Sequence, residues 1–502
     1  MLFKSFFLKV FSFTFGTLIS RLTGLLREMV FAFLFGASYA TDCFNVAFRI
    51  PNLLRDMFSE TALSAAFVPT FCEKMKKEEK KELSLFASNI LNFLLLAVGS
   101  LTLLLIFLAP YFVKIISLGF EKESLKYLLT LKLTKIMLPF LLFISLGSWA
   151  MGILISYGYF FISAVASAVF NIISILIPLL TYSLFLKANL EPIFSMAYGV
   201  LFGSLFQFLF LLIFLKKTGY QYYFYLNLTD PDFKRVIKLY FPVVFSLAAY
   251  QINFFINTIL ITFLEEKSIT YLNYAYRIMH LPAGLFGVAV GSVSLQEFSL
   301  AEKEEIKENI FLPIKINTLI ILPITLIFLL LSLPITQLLY QRGRFTFTDS
   351  YYTSIALFLY SFLIYPSSLS RVFSAYFYSK KDTKTPALIS FLSVALNITI
   401  NLILMRKIGF KAFPLGATIA AFFQAILLYL LLKKKEKISI FNKERKRFFF
   451  KILILLIPFS FIIYLSFKAF FLLKLPLFFS LTFTFLIAFA YLFPLLKKEG
   501  LF

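Results

Sequence analysis

The sequence predicts an all-α protein that crosses a membrane about fourteen times, and three observations support this prediction. The composition is 60% hydrophobic and only 15% charged, whereas soluble domains are close to half apolar and a quarter charged. Uncharged or nearly uncharged apolar stretches recur, as in residues 85–110 and 193–215, and each is long enough to span a bilayer. The Lys and Arg residues are concentrated in alternate loops between these stretches.

Fourteen candidate helices follow when the apolar stretches are separated at turn and charge signals. We expect the first of them to stay in the mature protein, because its basic start is not followed by a small-residue cleavage site. The predicted helix centres lie near Thr23, Arg55, Leu96, Phe140, Phe170, Gly203, Leu247, Leu281, Leu322, Tyr365, Leu396, Ala421, Pro458 and Phe485.

The loop charges predict that both termini are cytoplasmic. If the even-numbered loops share the side of the termini, that side carries 28 Lys and Arg residues and the other carries 12. This excess follows the positive-inside rule. The longest basic cluster, residues 433–451, lies between two apolar stretches, so we interpret it as a juxtamembrane loop that faces anionic lipid and not nucleic acid.

Nothing in the sequence indicates nucleotide, dinucleotide or metal chemistry. The chain contains a single His and two Cys, without metal-ligand spacing, and it has neither a P-loop nor a G-x-G-x-x-G motif. We interpret Cys43 and Cys72 as small buried residues. Because no catalytic constellation is present, we expect a protein that is not an enzyme and has no metal site or bound cofactor.

Four arginines lie inside the first two predicted helices, and their position is costly. They are Arg21, Arg27, Arg49 and Arg55. One arginine at the centre of a membrane helix costs about 3 kcal/mol even on lenient insertion scales, so these side chains must face water, counter-ions or each other. Asp42 is seven residues before Arg49, which places both on one face of the second helix.

Two interpretations of these arginines remain open. In the first, they pair with acidic neighbours and hold helices together; these neighbours are Glu28, Asp42, Asp56 and Glu60. In the second, which we favour, they line a cationic cavity for an anion such as phosphate, whose geometry suits the paired donors of arginine. Gly24 and Pro51 are candidate bends in helices that line such a cavity.

A short internal repeat indicates that the chain contains two related halves. Residues 45–50 (NVAFRI) recur as residues 273–278 (NYAYRI), with a constant offset of 228. The repeated segments fall on the second and the eighth predicted helix. Each repeat therefore contains six helices, and an even number gives both repeats the same orientation in the membrane.

The repeat also sets the predicted domain boundaries. We predict a first lobe in residues 1–218, a second lobe in residues 219–436 and an appended pair of helices in residues 437–502. The two lobes are related by a parallel repeat. Arg49 and Arg277 occupy equivalent positions, so we expect them to face one central cavity from opposite lobes.

Several motifs resemble the MurJ/MviN family of lipid II flippases, and the resemblance extends over essentially the whole chain. The matching segments are residues 20–28 (SRLTGLLRE), 35–37 (FGA), 40–42 (ATD), 51–55 (PNLLR), 66–69 (AFVP), 274–277 (YAYR), 287–289 (GVA), 341–345 (QRGRF) and 380–386 (KKDTKTP). The N-terminal motifs are the most specific, whereas the last two helices match in hydropathy only.

The resemblance implies both a fold and a function. The implied fold has fourteen helices in two six-helix lobes plus a C-terminal pair, as in the multidrug/oligosaccharidyl-lipid/polysaccharide exporter superfamily. The implied function is the alternating-access transfer of lipid II from the cytoplasmic to the periplasmic leaflet of the bacterial inner membrane. We expect a monomer whose partners are lipid II and membrane lipid, without nucleic acid. Coupling to a monovalent cation or to the membrane potential stays open.

The resemblance further implies which residues bind substrate. The family's cavity cations match Arg21, Arg27, Arg55 and Arg277, and its acidic residue near the start of the second helix matches Asp42. The predicted substrate-binding set is completed by Arg49, Ser20 and Glu60. The C-terminal helix pair is implied to hold the polyprenyl tail.

Four positions bear on the coupling mechanism. Tyr276 and His280 stand where many family members carry acids. The seventh helix, residues 233–264, lacks the carboxylate of sodium-coupled members; Asn257 is its nearest polar substitute, and Asp382 is a weak candidate elsewhere. The alternative functions are a flippase for another polyprenyl-diphosphate-linked saccharide and a drug exporter of the same superfamily. A membrane enzyme acting on polyprenyl diphosphates is a third, which would need a metal-binding acidic cluster.

Overall fold

The computed structural model describes the backbone of residues 2–498, apart from residues 59, 122–123, 283, 285–286, 301–309 and 437–442. Within the described helices, the side chains of some stretches also lie outside the described set, among them residues 2–13, 56–62 and 245–250. The described chain is almost entirely helical and contains no strand in these ranges. It forms two compact units, Met1–Ile269 and Thr270–Phe502.

The first unit is built from nine helices in the described part of the chain. They are α1 (Leu2–Phe35), α2 (Tyr39–Phe58), α3 (Glu60–Met75), α4 (Lys80–Ile116), α5 (Leu125–Met137), α6 (Phe140–Ser156), α7 (Phe160–Lys187), α8 (Phe194–Leu215) and α9 (Pro231–Ile261).

The second unit continues with nine further helices in its described residues. They are α10 (Ser268–Pro282), which begins at the boundary, α11 (Val288–Leu300), α12 (Phe311–Leu330), α13 (Ser332–Tyr340), α14 (Phe347–Ser379), α15 (Lys384–Ile408), α16 (Ala412–Glu436), α17 (Lys443–Leu472) and α18 (Leu477–Lys498).

All fourteen predicted helix centres fall on helices, so the prediction of an all-α polytopic protein is confirmed. Among the described residues, nine segments are long and apolar enough to cross a membrane. The fourth predicted span is divided into two helices, α5 and α6, which are separated by Leu138 and Pro139. The second span contains α2 and α3 and the eighth contains α10 and α11, in each case on either side of residues that lie outside the described set. In contrast, α1 runs unbroken through Gly24 and α2 runs unbroken through Pro51.

Local sequence signals set the ends of several helices. Gly36 follows α1 with a φ of 60°, a left-handed conformation that favours glycine. Asp230 caps α9 by accepting backbone N–H groups of the first turn, and Pro231 occupies the first helical position, where its missing N–H is not needed. Thr346 and Asp349 form a reciprocal capping box at the start of α14.

The core of the first unit surrounds Trp149 on α6, which is fully buried and donates from Nε1 to the carbonyl oxygen of Ala87 on α4 at 3.0 Å. Helix α9 packs on α2, α3 and α4, so residues 219–269 belong to the first compact unit. The contact-based boundary therefore falls later than residue 218. The division into two six-helix lobes and a C-terminal pair stays a prediction about the repeat.

Candidate substrate-binding site

Arg27 on α1 forms an ion pair with its neighbour Glu28. Its Nη2 and Nε atoms lie 2.9 Å and 3.3 Å from the same oxygen, Glu28 Oε1, and both side chains are largely buried. The guanidinium carbon also lies 5.3 Å from the centre of the Phe170 ring on α7, within the range of a cation–π contact. In this state, Glu28 neutralises Arg27, but the two residues are adjacent on α1, so the pair does not join two helices.

Arg21 differs from Arg27, because it is exposed and has no ion-pair partner among the described residues. The turn between the two arginines is held by Asn171 on α7. Its Nδ2 donates to the carbonyl oxygen of Ser20 at 3.1 Å and to Thr23 Oγ1 at 3.3 Å. Asn171 therefore fixes the backbone from which Arg21 extends and leaves its guanidinium free to meet an anion.

The two helices that carry the predicted cations pack on different neighbours. Helix α1 packs mainly on α7, whereas α2 packs on α5 and α9. Near their connecting turn, α1 and α2 meet through the rings of Phe31 and Phe44, whose centres are 5.0 Å apart. In the described part of the chain, α1 and α2 share no extensive interface beyond this end. The separation of α1 and α2 along most of their length is what a cavity between them would need.

Arg49 on α2 points towards α9. Its Nε donates to Thr258 Oγ1 at 3.1 Å, and its guanidinium carbon lies 5.5 Å from the centre of the Phe254 ring. Thr258 in turn donates to the carbonyl oxygen of Phe254 at 2.7 Å, so the arginine joins an ordered chain of hydrogen bonds. This placement gives Arg49 a role in attaching α2 to α9 within the first unit.

Asp42, one of the predicted substrate-binding residues, holds the loop after α9. It is 4% exposed, and its Oδ2 accepts the backbone N–H of Lys267 at 2.6 Å. Lys267 has a φ of 72°, which is unusual for a residue with a side chain, and the buried carboxylate helps to hold that conformation. The seven-residue spacing of Asp42 and Arg49 agrees with their common orientation towards α9 and its loop.

Two further contacts, which the sequence did not predict, hold the same loop. Lys126 Nζ lies 2.7 Å from Glu266 Oε1, and the backbone N–H of Gly119 donates to Thr262 Oγ1 at 3.0 Å. A Cβ at position 119 would overlap the backbone of Thr262, so glycine is required there. We call these contacts, together with the Asp42–Lys267 hydrogen bond, the α9-loop clamp.

The remaining predicted residues of the first unit are less fully described. Arg55 is half-buried and interacts with other residues. Ser20 is also half-buried, and its carbonyl oxygen accepts a hydrogen bond from Asn171. The side chains of Asp56 and Glu60 lie outside the described residues. Their predicted roles stay predictions.

Arg277 lies on α10, in the second unit, and is half-buried. The two neighbouring positions that depart from the family pattern stack on each other, with the rings of Tyr276 and His280 centred 5.5 Å apart at an angle of 17°. Tyr276 also meets the ring of Tyr360 edge-on at 5.9 Å. Aromatic packing thus occupies the positions where the resemblance would place acids.

The two candidates for cation coupling have ordinary structural contacts. Asn257 Nδ2 donates to Asn253 Oδ1 on the same helix at 2.8 Å. Asp382 lies in the loop between α14 and α15, where it accepts from the backbone N–H of Thr385 at 3.0 Å and lies 2.9 Å from Lys435 Nζ. Lys435 and Thr385 lower the pKa of Asp382 to about 2. No group of three potential metal ligands occurs among the described residues.

A cavity of about 450 Å³ opens in the second unit and is lined mainly by apolar side chains of α14, together with Lys411. None of the predicted substrate-binding residues lines it. The sequence also did not predict Phe170, Asn171 and Thr258 as neighbours of the arginines. A usable indication was present for Asn171 and Thr258, because polar residues inside apolar helices usually face other helices.

Comparison with known proteins identifies close similarity over most of the chain. The family described as "Lipid II flippase MurJ" matches residues 31–500, a range that begins after Arg21 and Arg27. The probable lipid II flippase MurJ of Buchnera aphidicola subsp. Schizaphis graminum is 32% identical over 450 residues, covering 89% of this chain and 86% of that protein. The lipid II flippase MurJ of Burkholderia cenocepacia is 31% identical, covering 84% of this chain and 82% of that protein.

Solved structures give the same result. A structure described as "Lipid II flippase MurJ, inward closed conformation" aligns with a TM-score of 0.78 and 26% identity, covering 97% of this chain and 99% of that chain. An inward-facing multidrug resistance transporter of the MATE family aligns with a TM-score of 0.68 and 15% identity, covering 83% of this chain and 94% of that chain. At this identity, the second similarity concerns the fold alone.

Proposed function

The chain belongs to the MurJ family of lipid II flippases, and from that premise we propose that it transfers lipid II from the cytoplasmic to the periplasmic leaflet of the bacterial cytoplasmic membrane. The observation that carries the proposal is the family match over residues 31–500. The exposed and half-buried arginines of α1 and α2 support it, because lipid II presents a diphosphate that suits arginine donors.

In the proposed mechanism, Arg21 makes the first contact with the diphosphate. Its guanidinium is exposed, and Asn171 supports the backbone of its helical turn. Arg27 then exchanges the carboxylate of Glu28 for a phosphate oxygen. This exchange keeps an anionic partner for Arg27 but breaks a largely buried ion pair, so the diphosphate must bind Arg27 more strongly than Glu28 does. Arg55 and Arg277 remain part of the predicted cation set.

Transfer across the membrane then follows by alternating access, with no covalent step. The polyprenyl tail stays in lipid along α17 and α18, which pack together and expose large apolar residues such as Phe461 and Leu465. Membrane potential can bias the step that moves net charge, because each elementary charge is worth about 2.3 kcal/mol per 100 mV. We propose that the protein acts as a monomer without a metal, a bound cofactor or nucleic acid, and that it is not an enzyme.

The proposal is tested by measuring the leaflet in which lipid II accumulates. In cells depleted of the protein, lipid II should become inaccessible to a reagent acting from the periplasmic side, and the wild-type chain should restore access. Variants Arg21→Ala, Arg27→Ala and Arg55→Ala should fail to restore it at normal expression. Arg406→Ala, at an exposed position on α15, is the matched control and should restore it fully.

Export by all three cavity variants would show that these arginines do not bind the cargo. A related lipid could also be the cargo, because other polyprenyl-diphosphate-linked saccharides present the same anion. Native mass spectrometry of the lipid that co-purifies with the protein separates the two. A drug exporter of this superfamily fits less well, since a cationic cavity repels the cationic drugs that such exporters favour.

A further inference from the structure

The segment that connects α8 to α9, residues 219–230, has an unusual sequence and conformation. It reads GYQYYFYLNLTD and contains no regular secondary structure apart from a turn near its end. Gly219, with a φ of 81°, begins it after a short 3₁₀ helix, and Asp230 ends it by capping α9. We call this segment the α8–α9 linker.

Four polar residues on the first turns of α4 hold this linker by its backbone. They are Ser84, Ser88, Asn89 and Asn92. Asn89 makes a reciprocal pair with Asn227, donating to its carbonyl oxygen at 2.9 Å and accepting its N–H at 2.8 Å. Asn92 Nδ2 donates to the carbonyl oxygens of Tyr223 and Tyr225, at 3.1 Å and 2.9 Å. Extended chain normally gains such bonds from a neighbouring strand, and here side chains of a helix supply them.

The outward side of the linker is apolar and alternates along the chain. Tyr222, Phe224, Leu226 and Leu228 are exposed, whereas the residues between them are half-buried. Phe224 is 95% exposed. The hydroxyl of Tyr222 donates to Asn92 Oδ1 at 3.0 Å, so the apolar ridge consists of Phe224, Leu226 and Leu228. Three large apolar side chains exposed at alternate positions would be unfavourable in water, and the pattern is that of a ridge inserted into an apolar phase.

The position along α4 places this ridge at the membrane boundary. Residues 83–113 carry no charge, and 31 helical residues span about 46 Å, which exceeds the hydrocarbon thickness of about 30 Å. The first turns of this stretch therefore lie at the interface between headgroups and hydrocarbon. Backbone polar groups at that depth must be satisfied by protein, and the α4 side chains do this for the linker.

Charge and residue type indicate the same surroundings. Lys216 and Lys217 precede the linker, Lys234 and Lys238 follow it, and all four are exposed. Basic residues beside a membrane surface attract anionic headgroups. The linker also contains four of the chain's tyrosines, a residue type enriched at membrane interfaces.

We propose that residues 220–228 form an interfacial membrane anchor, in which the side chains of Phe224, Leu226 and Leu228 insert into the lipid boundary and the flanking lysines bind anionic headgroups. The anchor is made of extended chain held by α4, in place of the amphipathic helix that commonly serves this purpose. It fixes the depth of α4 and of the start of α9 in the bilayer. The proposal does not depend on which lipid-linked cargo the protein carries.

Fluorescence in reconstituted vesicles tests this proposal directly. The only tryptophan of the chain, Trp149, is fully buried, so a second tryptophan can be followed by difference. In Phe224→Trp, we expect blue-shifted emission that brominated phosphatidylcholine quenches strongly. The matched control is Thr229→Trp at an exposed polar position of the same linker, whose emission should resist the brominated lipid and respond to aqueous acrylamide.

Three outcomes would overturn the proposal in whole or in part. Quenching of the tryptophan at 224 by acrylamide alone would place the ridge in water, and protection from both quenchers would place it under protein. If brominated lipid quenches the tryptophan at 224 equally with and without anionic phosphatidylglycerol, the flanking lysines do not contribute to anchoring by binding anionic headgroups. In the Phe224→Trp background, Asn89→Leu should release the linker and reduce quenching by brominated lipid. Ser100→Ala is the control and should leave quenching unchanged, because the Ser100 hydroxyl bonds only to its own helix.

Discussion

At the scale of single residues, the ion pair between Arg27 and Glu28 is the best-defined part of the proposed site. An anionic cargo must compete with Glu28 for the guanidinium, so the carboxylate sets how tightly the resting site binds diphosphate. We therefore predict that Glu28 regulates the affinity of the site for its cargo. Tighter binding of the cargo to the resting site would lower the Kd without speeding transfer, because only interactions that are stronger in the transition state for transfer increase turnover.

Glu28→Gln should therefore bind a short-chain polyprenyl diphosphate more tightly than the wild type and transport it more slowly. Removing one charge-assisted competitor is worth about 1.5–3 kcal/mol, so the Kd for the diphosphate should fall by about tenfold or more. Isothermal titration in detergent measures the change. Arg27→Ala serves as the opposite control and should weaken binding. If the Kd for the short-chain polyprenyl diphosphate is unchanged in Glu28→Gln, the cargo does not displace this carboxylate.

Asp42 has a structural role that can be separated from cargo binding. Asp42→Ala should lower the free energy of unfolding by about 1.5–3 kcal/mol, because it removes the acceptor of a hydrogen bond to the backbone of Lys267. Asp42→Asn keeps an oxygen acceptor, so it should retain more of the stability. Thermal unfolding in detergent compares the two. If both variants unfold like the wild type yet fail to bind lipid, Asp42 acts on the cargo.

At the scale of elements, the α9-loop clamp connects the loop after α9 to the first turn of α2, the loop after α4 and the start of α5. Its tightest approach is at Gly119, where the backbone of Thr262 leaves no space for a side chain. The clamp therefore depends on shape as well as on the charges of Lys126 and Glu266. Any motion of α9 relative to its neighbours must open this contact.

Gly119→Ala should destabilise the protein by about 1–3 kcal/mol through overpacking, or shift the loop and impair transport. The matched control is Gly99→Ala on α4, where an added methyl group meets no atom within 4 Å. The control should be neutral or stabilising by up to about 1 kcal/mol, because alanine favours helix over glycine. Comparable stability losses in both variants would contradict the close packing at Gly119.

The contact between the α14–α15 loop and the end of α16 should depend on pH. Lys435 and Thr385 lower the pKa of Asp382 to about 2, below its usual value, so the ionised form is favoured in the folded state. The stabilisation is complete above the unfolded-state pKa and is lost as the pH falls towards 2. The stability difference between wild type and Asp382→Asn should be constant above pH 5, about 1 kcal/mol or less, and shrink below pH 4. A difference that grows on acidification would contradict this ion pair.

At the scale of the whole molecule, the net charge of +24 is distributed unevenly between the two sides of the predicted membrane. Positive loops tend to remain on the cytoplasmic side during insertion, so we predict from this asymmetry that both termini are cytoplasmic. The same orientation would put the α8–α9 linker at the cytoplasmic surface, where anionic headgroups would face the flanking lysines.

The orientation is tested by labelling introduced cysteines in cells with a permeable outer membrane. Ala188→Cys, after α7, should react with a membrane-impermeant thiol reagent, and Lys77→Cys, after α3, should react only after lysis. Both positions are exposed, so reactivity reports on the side of the membrane. Native Cys43 is buried and Cys72 is partly buried, so the unsubstituted chain gives the background. The reverse pattern would invert the topology.

The sequence was sufficient to place all fourteen helices, because membrane spans must be apolar along their whole length and this constraint is local. The division of the fourth span at Leu138 and Pro139 was not predicted, because a proline alone does not end a helix: Pro51 leaves α2 intact. The pair Arg27–Glu28 was foreseeable as one of two interpretations, because the residues are adjacent. The hydrogen bond between Asp42 and Lys267 was not, because the acceptor's partner is a backbone group 225 residues away.

The burial of Trp149 has a practical consequence for studies of unfolding. Trp149 is the sole tryptophan; its indole N–H donates to the carbonyl oxygen of Ala87, and its ring lies edge-on to Tyr220. Its fluorescence therefore reports on the packing of α4, α6 and the α8–α9 linker. Tryptophan emission therefore follows the melting of Met1–Ile269 alone. A second transition detected by circular dichroism, with no change in emission, would be the separate unfolding of the C-terminal unit.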